Sequence, residues 1–168
     1  MAPPDPTRVI LALGSNLGDR CANLRKAREE ISAQVSIDKT SSIYETPPWG
    51  YIEQPVFLNQ VLSGFTSLNP TELLDFLKAI EKKMGRVKNF KNGPRLVDID
   101  ILVFGEQIVN TETLVIPHPR MLERGFVMLP LSEIEPELII PGTNESVVDL
   151  LKNVDQEGIF KFDPEGMK

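Results

Sequence analysis

The alternation of apolar and polar positions predicts a strand, a helix and a second extended segment near the start of the chain. Arg8 to Leu13 reads RVILAL, an apolar run of strand length that ends at a polar Gly-Ser-Asn sequence. Asp19 has the residue type of a helix N-cap, and three apolar residues recur behind it at helical spacing: Leu24, Ala27 and Ile31. From Val35 to about Tyr44 the pattern returns to that of an extended chain.

A proline-rich loop separates this part from the next strand. The segment ETPPWGYIEQP, from Glu45 to Pro55, holds three prolines and one glycine, too many breakers for a helix or a strand. Its length suits a functional loop. The following segment, Val56 to Phe65, has the composition of a strand, and because side chains alternate between its faces, Phe57 and Asn59 share one side. The pattern therefore places an aromatic ring beside an amide.

The next helix has clear boundaries in the sequence. Asn69 supplies an N-cap, Pro70 suits the first helical position, Glu72 completes a capping box, and the apolar stripe consists of Leu73, Leu77, Ile80 and Met84. Gly85 ends the helix, and the basic loop RVKNFKNGP leads to another strand. The order strand, helix, strand, strand, helix, strand predicts an α+β protein with a ferredoxin-like βαββαβ core, a mostly antiparallel sheet with helices packed on one face. Beyond it we expect short strands and a helix near residues 146–152.

The last strand of this core carries two acidic residues on one face. In RLVDIDIL, from Arg95 to Leu102, Asp98 and Asp100 point the same way with Cα atoms about 7 Å apart. A buried carboxylate without a partner is costly, and two neighbouring ones repel each other. One or two Mg²⁺ ions would offset both effects through oxygen coordination, and pairing with arginines would do so in a different way. A solvent-facing edge strand is the simplest alternative.

Composition narrows the class of protein. With 168 residues, 41% hydrophobic and 25% charged, the chain is expected to form a single domain over residues 1–168. Because no apolar run could span a bilayer and the start MAPPDPTRVILALG lacks the character of a signal peptide, we expect a cytoplasmic protein that does not bind a membrane. One cysteine and one histidine are too few for an intrachain disulfide or a zinc site built from nitrogen and sulfur.

Charge is distributed unevenly along the chain. The net charge of −6 argues against nucleic acid as a partner, yet the segment from Lys78 to Arg95 contains seven basic residues and a single acid. This segment directly precedes the paired aspartates, and cations beside acidic metal ligands are typical of a polyphosphate site. The sequence GSNLGD lacks the Gly-Lys-Ser/Thr ending of a Walker A loop. Phosphate is therefore expected to be held by side chains and Mg²⁺.

The segment IPHPRMLERGF, from Ile116 to Phe126, contains the single histidine of the chain. His118 lies between two prolines and close in sequence to Arg120 and Arg124. A lone histidine is most often structural, but its place in a rigid, polar and basic turn favours contact with phosphate. Phe126 suits either a hydrophobic core or a binding site.

Five motifs together resemble one family. ALGSNLGD, YETPPWG, QPVFLNQ, GPRLVDIDIL and IPHPRMLERGFVMLPL occur over about residues 8–151 in the order seen in the 6-hydroxymethyl-7,8-dihydropterin pyrophosphokinases. The resemblance implies a three-layer α-β-α enzyme of folate biosynthesis. Such an enzyme transfers pyrophosphate from ATP to the hydroxymethyl group of a reduced pterin and releases AMP. ATP and the reduced pterin are then the partners, two Mg²⁺ ions the cofactors, and a monomer the expected state.

The same resemblance assigns roles position by position. Asp98 and Asp100 match the pair that binds both Mg²⁺ ions, and the catalytic set is completed by Arg86 and Arg95, which match arginines of a mobile loop. The matches to ATP contacts are Glu81, Arg95, His118 and Arg124. The matches to pterin contacts are Thr46, Pro47, Trp49, Phe57, Asn59 and Phe126, of which the two phenylalanines would enclose the ring.

Four positions depart from well-known members of the family, and the resemblance assigns no nucleotide contact to them: Lys78, Asn92, Thr113 and Pro119. Two functions remain as alternatives to the kinase. A non-catalytic nucleotide or pterin sensor would use the same acids and arginines without transfer. A metal-dependent nucleotide hydrolase would not need the aromatic and amide pair at Phe57 and Asn59.

Overall fold

The computed structural model describes residues 5–46, 56–85 and 96–162. Its strands are β1 (Thr7–Ser15), β2 (Ser36–Thr40), β3 (Tyr44–Thr46), β4 (Phe57–Thr66), β5 (Asp98–Phe104), β6 (Val109–Asn110), β7 (Val115–Ile116) and β8 (Phe160–Lys161). Its helices are α1 (Arg20–Ile31), α2 (Pro70–Lys83), α3 (Gly125–Ile134) and α4 (Val147–Leu151), and a short 3-10 helix covers Met121–Glu123.

The main sheet has the strand order β5-β1-β4-β3-β8, and all its pairs are antiparallel. β2 and β3 follow one another along the same edge of β4, so the extended segment expected from Val35 to Tyr44 is divided into two strands. The order of β1, α1, β2/β3, β4, α2 and β5 confirms the ferredoxin-like core. β5 is the last strand on its side of the described sheet.

Helices cover both faces of this sheet. Leu24 of α1 and Leu77 of α2 pack in one hydrophobic cluster, and Met128 of α3 and Leu150 of α4 pack in a second cluster on the opposite face. β1 serves both, since Val9, Leu11 and Leu13 belong to the first cluster and Ile10 to the second. The result is the α-β-α arrangement implied by the resemblance. None of the helices among the described residues is long and apolar enough to cross a membrane.

The predicted start of α1 and both predicted ends of α2 are confirmed. Asp19 accepts a hydrogen bond from the Ala22 N–H, and Asn69 and Glu72 form the reciprocal capping box. Gly85 follows α2 with φ of 82°, the left-handed conformation that favours glycine. α4 also lies where a helix was expected, with Ser146 as its N-cap.

α3 was not predicted. Its sequence, GFVMLPLSEI, is apolar on most sides, so it lacks the contrast between faces by which a helix is usually identified. Pro130 inside the helix also has the residue type of a helix breaker. The helix is nevertheless central to the site described below, because its first turn carries Phe126 and Arg124 is its N-cap residue.

Candidate functional site

The two aspartates of β5 lie on the face of the sheet that α3 and α4 cover. Asp100 pairs with Ala12 of β1, and Ala12 packs against the second hydrophobic cluster. Ile99 and Ile101 belong to the first cluster, on the opposite face. The predicted separation of acids and isoleucines between the two faces is therefore confirmed.

One row of residues across three strands joins this acidic pair to the amide of Asn59. Gly14 of β1 pairs with Asn59 of β4 on one side and with Asp98 of β5 on the other. Directly paired residues share a face, and neighbouring strands are about 4.8 Å apart. Asn59 and Asp98 thus face the same space from backbone positions about 10 Å apart.

Gly14 provides the room for the Asn59 side chain. A Cβ atom at Gly14 would lie 3.0 Å from Asn59 Oδ1 and 3.6 Å from Phe57 Cδ1. Asn59 Nδ2 donates a hydrogen bond of 2.6 Å to Thr46 Oγ1, and both residues are buried. Thr46 also pairs with Phe57 across β3 and β4. The fold therefore brings Thr46, Phe57 and Asn59 together beside Gly14, as expected for one end of a flat, polar ligand.

The electrostatics of the acidic pair favour a cation. Burial, followed by the nearby Asp98 carboxylate, raises the pKa of Asp100 to about 7, while Lys78 and Arg124 act in the opposite direction. A carboxyl group with a pKa raised in this way is stabilised in its ionised form by a positive ion between the two side chains. The donor set consists of oxygen alone, which suits Mg²⁺.

The number of acidic ligands is small. Within residues 5–46, 56–85 and 96–162, no group of three or more histidine, cysteine, aspartate or glutamate side chains could hold a metal ion. Mg²⁺ commonly binds through one or two carboxylates and takes its other ligands from water and substrate phosphates. Asp98 and Asp100 therefore fit a magnesium ion that arrives with a polyphosphate, rather than a closed protein cage.

His118 lies beside β5 with its ring orientation fixed by the backbone. Its N–H donates to the Leu102 carbonyl at 2.9 Å, and its Nδ1 accepts a hydrogen bond of 3.2 Å from the Arg120 N–H. Burial, and then the positive charge of Arg124, lower the pKa of His118 to about 4. The imidazole is thus neutral near pH 7 and carries its proton on Nε2, which can donate to an anion.

Arg124 connects the region around the acids to Phe126. Its guanidinium carbon lies 5.6 Å from the centre of the Phe126 ring. Burial lowers the pKa of Arg124, and the carboxylate of Asp100 opposes this effect. The side chain is thus a partly buried cation near an aromatic ring and within the electrostatic influence of the acidic pair, a position suited to phosphate.

A cavity of about 240 Å³ lies along the outer edge of β5. Asp100 and His118 line it, as do three of the positions that depart from the family pattern: Lys78, Thr113 and Pro119. Leu74 and Lys78 of α2 and residues of the segment around β7 line the cavity together. The cavity therefore opens directly onto one of the two aspartates.

Five of the residues predicted from sequence are among those the fold brings together around the acids and the amide: Asp98, Asp100, Asn59, Phe57 and Thr46. The contacts of His118, Arg124 and Phe126 place them near this group. Four predicted residues lie outside the described residues: Pro47, Trp49, Arg86 and Arg95. Asn92 also lies outside them.

Sequence reasoning missed two features of the site. Gly14 was noted only as the start of the polar sequence that ends the first strand, although its lack of a side chain allows Asn59 to lie over β1. Glu81 was expected on the ATP side, and the structure adds that it accepts a hydrogen bond of 2.8 Å from the Ile99 N–H. An acid next to the apolar stripe of α2 was the available signal for a buried partner.

Comparison with known proteins agrees with the geometry. The model of the 7,8-dihydro-6-hydroxymethylpterin-pyrophosphokinase (HPPK) family matches residues 10–136. The chain belongs to this family. It is 47% identical over 133 residues to the 2-amino-4-hydroxy-6-hydroxymethyldihydropteridine pyrophosphokinase of Aquifex aeolicus, covering 79% of this chain and 83% of that protein. The corresponding protein of Bacillus subtilis is 45% identical over 151 residues, with coverage of 89% and 86%.

Other relatives are longer proteins. The chain is 43% identical over 151 residues to the folic acid synthesis protein fol1 of Pneumocystis carinii, but the match spans 89% of this chain and only 20% of that protein. The solved HPPK-DHPS structure of Plasmodium falciparum with pteroate matches with a TM-score of 0.70 at 18% identity, over 89% of this chain and 42% of that one. This structural likeness supports the HPPK fold.

Proposed function

We propose that this chain transfers pyrophosphate from ATP to the hydroxymethyl group of 6-hydroxymethyl-7,8-dihydropterin and releases AMP, as a step of folate biosynthesis. The row Asn59–Gly14–Asp98 is the observation that carries the proposal. It sets a pocket of aromatic and amide groups about 10 Å from an acidic pair suited to a metal-bound triphosphate. The hydroxyl of the pterin and the β-phosphorus of ATP can then meet between them.

The reaction forms one phosphorus–oxygen bond and breaks another, the hydroxyl proton passes to solvent, and AMP leaves with the bridging oxygen. The pterin hydroxyl oxygen attacks the β-phosphorus, the bond from that phosphorus to the oxygen on the α-phosphate breaks, and the hydroxyl proton is released. Thr46, Phe57 and Asn59 hold the pterin, while the Nε2–H of His118 and the guanidinium of Arg124 bind phosphate oxygens. Asp98 and Asp100 would hold Mg²⁺, which neutralises charge on the phosphates. Positioning and charge neutralisation thus account for the rate.

The remaining assignments extend this proposal. Arg86 and Arg95 supply further positive charge to the transferring group, and Pro47 and Trp49 complete the pterin pocket. A second Mg²⁺ ion, a monomeric state and the absence of a nucleic-acid partner belong to the same proposal. The net charge of −6 supports the last of these.

Product analysis separates this function from its alternatives. Incubation with Mg²⁺, ATP and the reduced pterin is expected to yield AMP and pterin pyrophosphate in equal amounts. Intact ATP would indicate a sensor, and AMP formed without pterin would indicate a hydrolase. Asp98→Ala is expected to abolish transfer, whereas Asp75→Ala, at an exposed position of α2, is expected to retain it. Near-normal AMP release by Asp98→Ala would overturn the assignment.

A further inference from the structure

Glu81 is an acid in an almost fully buried position. It lies in α2 next to the apolar stripe, and its exposed fraction is 1%. A carboxylate in such surroundings is stable only when its oxygens have partners. The structure gives each oxygen a different one. Oε2 accepts the Ile99 N–H at 2.8 Å, and Oε1 lies 3.3 Å from Nζ of Lys78.

The residue of β5 that Glu81 contacts is Ile99, which lies between the two aspartates. Because β5 is the terminal strand of the described sheet, an N–H that points away from β1 has no neighbouring strand in that sheet to accept it. The Glu81 carboxylate takes the place of such a strand at Ile99. A hydrogen bond there fixes the orientation of the peptide that joins Asp98 to Ile99, and with it the direction in which the flanking side chains leave the backbone.

We propose that Glu81 is a positioning residue for the metal-binding pair, which acts by holding the Ile99 peptide between Asp98 and Asp100. This inference rests on the proposed function, because it takes those two aspartates as metal ligands. Both Glu81 oxygens have partners in the structure, and the described residues contain no group of three acids able to hold a metal. These observations favour an anchor for the strand over a third ligand.

Hydrogen exchange in the metal-free wild type tests the anchor directly. The Ile99 amide is expected to exchange at least tenfold more slowly than solvent-exposed amides of the same protein, because its N–H is bonded within a buried pair. Exchange at the rate of the exposed amides would overturn the proposal. This measurement needs no variant, so it can overturn the proposal even if a substitution at Glu81 prevents folding.

Metal binding tests whether loss of the Glu81 hydrogen bond disturbs the two aspartates. The probe is Mn²⁺ alone, an ion with similar oxygen preference, followed by electron paramagnetic resonance. Glu81→Met removes the acceptor of the Ile99 N–H and the partner of Lys78. It is expected to weaken Mn²⁺ binding by roughly tenfold to a hundredfold, the usual effect of losing a group that orients metal ligands. Glu81→Gln retains an oxygen acceptor for the Ile99 N–H and is expected to stay within about threefold of wild type.

The two variants distinguish an anchor from a ligand. If Glu81→Gln and Glu81→Met weaken Mn²⁺ binding equally, the charge of Glu81 acts on the metal directly and the proposal is wrong. Unchanged Mn²⁺ binding in Glu81→Met would also overturn it. Lys83→Met is the matched control, because Lys83 is on the same helix and forms a 2.9 Å ion pair with Glu30 of α1. It is expected to bind Mn²⁺ like wild type.

The failure of this inference is distinguishable from failure of the proposed function. Product analysis of the wild type tests pyrophosphate transfer and does not involve Glu81. A wild type that transfers pyrophosphate while Glu81→Met binds Mn²⁺ normally would leave the function intact and remove only the anchor.

Discussion

Replacing Asp100 by asparagine is expected to stabilise the metal-free protein while it removes metal binding. The pKa of Asp100 is raised from 3.8 to about 7, chiefly by burial and then by Asp98. Between about pH 4 and pH 7 the folded state therefore keeps a proton that the unfolded state releases. The free energy of unfolding contributed by this group consequently falls as the pH rises through that range.

The magnitude follows from the size of this change in pKa. Each pKa unit corresponds to about 1.4 kcal/mol, so the ionised form of Asp100 costs the fold at most about 4 kcal/mol above pH 7. Asp100 retains some exposure and titrates together with Asp98, both of which reduce the cost. We therefore expect Asp100→Asn to raise the free energy of unfolding by about 2 kcal/mol at pH 8 and about 0.5 kcal/mol at pH 4.5.

Urea unfolding in EDTA, followed by circular dichroism at both pH values, measures this difference. Asp75→Asn, at an exposed position of α2, is the control and is expected to change stability by less than about 0.5 kcal/mol at either pH. Adding millimolar Mg²⁺ is expected to stabilise the wild type and not Asp100→Asn. A gain of equal size at pH 4.5 and pH 8, or a loss at pH 8, would refute the argument from buried charge.

Two further substitutions and one titration of the wild type test other parts of the structure. Gly14→Ala places a Cβ 3.0 Å from Asn59 Oδ1. It is expected to raise the KM for pterin roughly tenfold without changing ATP binding. The same KM for pterin in the variant and the wild type would contradict the role of Gly14. His118 is expected to stay neutral in ¹⁵N-histidine spectra from pH 8 to pH 5, with the proton on Nε2, and to titrate near pH 4. Its contribution to the free energy of unfolding is therefore lost as the pH falls from about 6.5 to about 4. A titration midpoint at pH 6.5 would contradict this. Leu77→Ala is expected to lower the free energy of unfolding by about 2–5 kcal/mol in urea titrations, since Leu77 is buried in the first cluster, and a loss below 1 kcal/mol would be unexpected.

The fold was largely predictable because its signals are local. The caps at Asp19 and Asn69, the glycine after α2 and the alternation in β5 each depend on a few neighbouring residues. α3 escaped prediction because a helix buried against a sheet loses the contrast between its faces, and Pro130 added a misleading breaker signal. Its packing against the sheet decides the structure, and that contact is not local in sequence.

Candidate residues for the site could be selected from the sequence, but their arrangement could not be predicted. The adjacency of Phe57 and Asn59 and the shared face of Asp98 and Asp100 follow from strand geometry alone. The row through Gly14 depends on the register of three strands, which no single segment specifies. The resemblance to the family implies the roles proposed for these residues, and the register supplies the distance between them.

The buried acids around β5 link the proposed metal binding to a cost in stability. Asp100 ionises with difficulty in the metal-free protein, and Glu81 is almost fully buried although it carries a carboxylate. Glu81 has protein partners for both oxygens, so its charge is compensated within the fold. The raised pKa of Asp100 shows that its charge is not fully compensated in this way. A cation that arrives with the triphosphate can supply the missing compensation, so metal binding and stability are expected to depend on the same carboxylate.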